Sequence, residues 1–195
     1  MFSRTFILFL WAVFVSFVHS QCPDGGQIFE WGISAAGRNV IVNRHNDYRR
    51  MIMNGQVPGQ PRGKNIQMLS FDERLAQEGR KVSRTCKMQH IIASDSRWSW
   101  VGQNVYISWS SRNVGGQDWE AAAASWFNEY RNFRYPFGSN GGVTGHYTQV
   151  IWARSNKLGC DFIRYFDRSK NMYAKLYTCN YGPGQYSNQA PYELA

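Results

Sequence analysis

The clearest periodic signal in the chain begins at Asp118, after which Trp119, Ala123, Trp126, Phe127 and Tyr130 recur at intervals of 4, 3, 1 and 3 and mark one apolar face of a helix. Upstream, Val40, Ile41, Tyr48, Met51 and Ile52 fall near the same spacing and Asn54-Gly55 supplies a stop, which predicts a helix over about 36–53. The stretch 57–63 cannot hold a regular element, because its prolines lack N–H donors and its glycines weaken any helix. Ser70 and Glu73 have the spacing of a capping box, so a further helix is expected from there to about Met88. From Thr148 onward the pattern turns to β: residues 148–153, 160–166 and 173–179 read as strands, with a turn at 167–170. The Gly- and Ser-rich stretch 110–116 reads as a loop, and no internal repeat is visible. Helices first and strands last predict an α+β fold layered on an antiparallel sheet.

Composition narrows the class. Apolar residues make up 43% of the 195 and charged residues 18%, which excludes a disordered chain. The formal charge of +9 comes from scattered basic residues whose longest cluster is the pair Arg49-Arg50, so general attraction to acidic surfaces follows and nucleic-acid reading does not. Residues 1–20 read as a secretory signal: Arg4 near the start, an apolar run over 6–18, and the small residue Ser20 before Gln21. That run is shorter than the ~20 residues a bilayer span needs. No other segment is apolar enough to cross a membrane, so residues 21–195 are expected as one soluble, extracellular domain.

An extracellular setting turns the four cysteines into disulfide candidates. Cys22, Cys86, Cys160 and Cys179 form no CxxC element, which argues against zinc–thiolate chemistry. Cys160 and Cys179 lie in neighbouring strand-like segments joined by a turn, which favours their pairing. Cys22 then takes Cys86.

Beyond His19 in the leader, the histidines are His45, His90 and His146, and there is no HExxH, GxSxG, Walker or GxGxxG motif. Gly145 beside His146 allows close backbone approach, so the ring can point into a cleft. His90 is read as closing the second helix, near the anchoring Cys86. The plainer alternative has His90 bonding the helix's last carbonyls and His146 bonding its own loop.

Residues 145–155 (GHYTQVIWARS) and 176–184 (LYTCNYGPG) resemble the two signature motifs of the CAP superfamily: cysteine-rich secretory proteins, antigen 5 proteins and pathogenesis-related proteins. The likeness extends through HNDYR from His45, GQPR from Gly59, Leu75-Ala76, CKMQH ending at His90 and GQNV from Gly102. The GQP and GQN elements are most similar to the venom allergen or antigen 5 branch.

This resemblance implies a three-layer α-β-α sandwich with a central antiparallel sheet, and a cleft holding two histidines and two carboxylates. His90 and His146 match the histidines and Glu129 one carboxylate. Gln103 stands at the other position, a departure that removes a negative charge and a base. The two imidazoles can hold a divalent ion such as zinc, with Glu129 as a direct or outer anion, although no cofactor is required. His45 matches a family motif but is read as structural. Trp98, Trp100, Trp109, Phe133, Tyr135 and Phe137 are expected to anchor core and loops around the cleft, where the resemblance implies a sterol or fatty acid could bind.

The functional expectation is a secreted, non-enzymatic effector or binding protein, allergen- or toxin-like, with an unidentified host or cell-surface partner. The alternative is a metal-assisted protease. Ser125 or Thr148 could be argued as its nucleophile, but Gln103 cannot supply a base, and no nucleophile–base pair is evident.

Overall fold

The computed structural model describes residues 21–195, and the predicted leader at 1–20 lies outside the described residues. In chain order the elements are β1 (Ile28–Trp31), α1 (Ala35–Met53), β2 (Gly63–Lys64), β3 (Ser70–Phe71), α2 (Glu73–Ser83), β4 (Gly102–Ser110) and α3 (Trp119–Phe127). A 3-10 turn (Asn128–Arg131) follows, then β5 (Phe133–Arg134), β6 (Gly138–Ser139), α4 (Gly145–Val150), β7 (Lys157–Asp167), β8 (Met172–Gly182) and β9 (Glu193–Leu194). Among the described residues no helix is long and apolar enough to cross a membrane.

The central sheet runs β1-β7-β8-β4 with every neighbouring pair antiparallel, and the short β3 adds in parallel to the start of β7. Alternation along β7 and β8 divides the core in two. Phe162 and its cross-strand partner Tyr177 pack with Ile41 of α1, Trp119 and Trp126 of α3 and Tyr147 of α4. Ile163 and its partner Leu176 face the other way, toward Val82 of α2. Helices therefore cover both faces of one antiparallel sheet, the three-layer α+β sandwich. Each large side chain fully buried here contributes about 1.5–3 kcal/mol of hydrophobic free energy.

Two disulfides fasten this frame. Cys160 and Cys179 are register partners on β7 and β8 and are bonded to each other, while Cys22 is bonded to Cys86 and ties the N-terminal segment to the chain beyond α2.

The helices near 36–53 and after Asp118 form where the periodicity places them, with Ser34 and Asp118 as N-caps. Several local readings need correction. The cap of α2 is Asp72, whose Oδ1 accepts from the Arg74 and Leu75 amides at 3.0 and 3.1 Å. Ser70 instead pairs with Lys157 in β3, so the capping box does not form. The helix also stops at Ser83, with the Thr85 hydroxyl donating to the Val82 carbonyl at 2.7 Å and Cys86 in the left-handed region at φ 51°. His90 thus lies beyond the helix rather than closing it.

The run 148–153, read as a strand from its apolar residues, begins inside helix α4. Tyr147, Val150 and Ile151 fall on one helical face and are fully buried, so packing overrides the β-propensity of Val150 and Ile151. Lastly, β1 and β4 carried no strand assignment from pattern, and β4 extends one residue into the stretch assigned as loop, ending at Ser110.

Candidate functional site

Glu129 in the 3-10 turn and His146 in the first turn of α4 meet directly. Glu129 Oε1 lies 2.6 Å from His146 Nδ1, and its Oε2 accepts the backbone N–H groups of His146 and Tyr147 at 3.0 and 3.2 Å. One carboxylate thereby fixes both the backbone and the ring of His146. With Nδ1–H donated to the carboxylate, the Nε2 lone pair has no hydrogen-bond partner among the described residues.

Gln103, on β4, performs the same service for His90 with neutral chemistry. Its Oε1 accepts from the Ile91 amide at 3.2 Å and its Nε2 donates to the Ile91 carbonyl at 3.0 Å and to Asn180 Oδ1 at 2.9 Å. A backbone N–H can only donate and a carbonyl can only accept, so the side-chain amide has one orientation. His90 Nδ1, 3.1 Å from that same Oε1, must therefore carry the proton, and its Nε2 is the free lone pair. The His90 and His146 rings lie 6.4 Å apart between centroids and are tilted by 23°. Their four side chains thus come together as two oriented imidazoles, each held at Nδ1 by a different acceptor. Glu129 occupies the outer position behind His146. Among the described residues no group of three or more His, Cys, Asp or Glu side chains is arranged to hold a metal ion.

Beside this pair opens a cavity of about 600 Å³ whose wall includes His90, Gln103, Trp100, Phe133, Phe137 and Trp152. Its polar wall groups are largely bonded to protein. Gln149 donates from Nε2 to Ser155 Oγ at 3.1 Å and accepts the Gln185 amide at 3.0 Å. Gln185 Nε2 donates to the Gly145 carbonyl at 2.7 Å, and its Oε1 accepts from the Thr148 hydroxyl. What remains facing the cavity is mainly ring and aliphatic surface. Gly102 is required here, because a Cβ would fall on the side chain of Gln149 and against the backbone of Gly184.

Of the aromatic residues expected near the cleft, Trp100, Phe133 and Phe137 line the cavity. Trp98 packs beside the core cluster of Leu75, Ala93 and Val101, Trp109 bonds Asp167 at the far end of β4, and Tyr135 bonds the Tyr192 carbonyl. Sequence reasoning missed Trp152 and Tyr186 as wall residues; Trp152 lay inside the run taken for a strand.

Neither cleft histidine bonds a hydroxyl among the described residues. Thr148 Oγ lies within bonding distance of Thr144 and Gly145 carbonyls and of Gln185, and Ser125 is exposed on α3. His45 is fully buried, with Nδ1 2.8 Å from the Ile41 carbonyl and Nε2 2.8 Å from the Tyr181 hydroxyl; burial pulls its pKa down to about 3. It is a neutral, structural histidine. Arg49, which no motif argument isolated as a site residue, is also fully buried and donates to the carbonyls of Gln67, Val150 and Ser155 at 2.6–2.9 Å. Burial lowers its pKa to about 9, and its fork anchors the C-terminal end of α4 to α1.

Comparison with known proteins agrees with this architecture. The family model described as the cysteine-rich secretory protein family, CAP, matches residues 42–181. A venom allergen 5 of Tityus serrulatus is 33% identical over 85% of this chain, which spans 42% of that protein's length. A salivary antigen-5 of Dipetalogaster maximus is 31% identical over 89% of this chain and 72% of its own. The crystal structure of NaASP2 with Zn2+ superposes with a TM-score of 0.67 at 25% identity, covering 89% of this chain and 90% of that one.

Proposed function

Since the chain belongs to the cysteine-rich secretory protein (CAP) family of venom allergen-like proteins, we propose that it is an extracellular effector that acts by binding and not by turnover. We assign its cavity to an amphipathic lipid of the fatty-acid class, with the acidic head at His90 and His146 and the chain along the ring-lined wall. The observation that supports this reading is the pairing of the wall amides with protein groups, which leaves ring and aliphatic surface, the Trp152 indole N–H and the His90 lone pair as the open chemistry of the wall, with the His146 ring beside His90. A glycan or polar peptide would need those amides free. A sterol's hydroxyl, like a carboxylic acid, offers one donor to the pair, but only the acid gains a negative charge that an ion held there would attract.

The same two Nε2 atoms suit a divalent ion such as zinc, because Glu129 and Gln103 already fix ring orientation and tautomer from behind. Such an ion would supply positive charge to a carboxylate head. Without it, one of the two lone pairs accepts the single proton of the carboxylic acid. The relative with zinc in its structure supports this capacity. The protease reading is disfavoured, since among the described residues no hydroxyl bonds a cleft histidine, and Gln103 stands where the resemblance implies the second carboxylate.

Displacement of a fluorescent fatty acid by a long-chain acid and by the alcohol of equal chain length tests the assignment. The acid should bind about tenfold more tightly than the alcohol, and the His90→Ala/His146→Ala double variant should erase that difference while keeping alcohol binding. Equal binding of acid and alcohol by the unaltered protein removes the head-group assignment. Failure of both to bind removes the lipid reading.

A further inference from the structure

A second groove, of about 540 Å³, lies between the loop that carries Pro58 and Pro61 and the segment from Tyr130 to Tyr135. Its walls are fastened to each other by hydrogen bonds. Gln60 Nε2 donates to the carbonyls of Tyr130 and Phe133 at 3.0 and 2.9 Å, the Tyr135 hydroxyl donates to the Tyr192 carbonyl at 2.7 Å, and the Tyr192 hydroxyl donates to the Pro61 carbonyl at 2.9 Å. The groove is therefore preformed.

Two arginines line it. Arg131 and Arg134 are both exposed, and among the described residues neither guanidinium has a hydrogen bond or a carboxylate within ion-pair distance. This sets them apart from Arg38, Arg44, Arg50 and Arg97, each of which is paired with Asp or Glu. The Arg131 guanidinium stands 5.3 Å from the centre of the Tyr130 ring, which places a cation on an aromatic wall. Of the acidic residues near the groove, Glu193 acts on the Tyr135 side, and Glu129, in the same turn as Arg131, is engaged by His146. Guanidinium forks without protein acceptors match tetrahedral oxyanions, and a slot walled by tyrosine and proline rings matches a flat apolar body attached to one.

We propose that this groove is a receptor for an aryl oxyanion ester, the group presented by O-sulfated or O-phosphorylated tyrosine on a partner protein. The ring enters between Tyr130, Tyr135 and the prolines, and the ester oxygens take the Arg131 and Arg134 donors. The groove shares the Phe133 wall with the cavity beside the histidine pair, but its proposed contacts include neither histidine and do not depend on what that cavity binds.

Fluorescence anisotropy with one short peptide carrying tyrosine, sulfotyrosine or phosphotyrosine tests it, using the intact mature protein and its Arg131→Gln/Arg134→Gln variant. At least one ester peptide should bind about 10- to 100-fold more tightly than the unmodified peptide, and that gain should vanish in the variant. Selective binding of the sulfate or of the phosphate form identifies the source of the ester. The circular dichroism spectrum and denaturant midpoint of the variant should match those of the unaltered protein, showing an intact fold. Equal binding of all three peptides, no binding of any, or an ester preference that survives in the variant overturns the proposal.

Discussion

His45 on α1 and Tyr181 on β8 are joined through the histidine Nε2 and the phenol hydroxyl, 2.8 Å apart in a fully buried setting. His45 Nδ1 faces the Ile41 carbonyl and must donate to it, so Nε2 accepts the tyrosine proton. The same hydroxyl oxygen accepts from Asn104 Nδ2 at 3.1 Å, and Asn104 also donates to the His146 carbonyl at 3.0 Å. A continuous polar chain thus runs from α1 through β8 and β4 to the cleft helix. Tyr181→Phe keeps the ring but leaves the imidazole nitrogen without its donor. It should destabilise the protein by about 1–3 kcal/mol, read as a lower midpoint in denaturant with an unchanged slope.

The buried imidazole also gives acid stability a definite sign. Desolvation is the largest cause of the depressed pKa of His45, with the Arg49 charge acting in the same direction and the Ile41 carbonyl opposing both. An unfolded histidine titrates near 6.5, so between about 6.5 and about 3 the unfolded chain binds a proton that the native state refuses. This contribution is complete above that window and falls by about 1.4 kcal/mol per pH unit within it. Unfolding free energies measured from pH 7 to 4 should drop less steeply for His45→Gln than for the unaltered protein. Parallel profiles would mean that His45 does not titrate between the two states.

How much of this was legible in the sequence depended on range. Helices α1 and α3 declared themselves because their apolar faces repeat within a few residues, and β7 and β8 because their strand-like runs flank a short turn. Helix α4 did not, since part of what holds it is the Glu129 carboxylate 17 residues upstream, accepting the His146 amide. Only motif resemblance brought His90, Gln103, Glu129 and His146 into one set. Resemblance could not say that Gln103 would take up an orienting bond to His90, which depends on the Ile91 amide and carbonyl fixing its two ends.

Asp161 lies under α2 at 1% exposure, with its Oδ2 unpartnered among the described residues and Oδ1 3.8 Å from Arg80 Nε. Burial is the largest influence and raises its pKa above the ordinary carboxylate value, against the opposing pull of Ser83 and Arg80. The native state therefore keeps this proton to higher pH than the unfolded chain, and the associated stability, present at low pH, is lost as pH rises through the raised value. Asp161→Asn removes the buried charge at nearly constant volume. At pH 7 it should raise stability by about 1 kcal/mol, a gain that disappears near pH 4. A loss of stability at pH 7 would show that the Arg80 interaction outweighs desolvation.

Gln103→Glu separates two consequences of the residue at that position. A carboxylate facing His90 Nδ1 would reproduce the relation of Glu129 to His146, making the imidazole a more basic ligand and adding negative charge beside the pair. Changes of this kind behind metal-binding histidines alter affinity about 10–100-fold, so calorimetric titration should show zinc bound at least tenfold more tightly. The substitution also removes the amide that donates to the Ile91 carbonyl and to Asn180 Oδ1, leaving acceptors facing a carboxylate. Stability of the metal-free protein should accordingly fall by about 1–3 kcal/mol. His146→Ala supplies the control, since loss of one imidazole should abolish zinc binding while sparing the Gln103 bonds. If Gln103→Glu costs stability but leaves zinc affinity unchanged, and His146→Ala has no effect on it, the two histidines are ordered by their Nδ1 partners without forming a metal site.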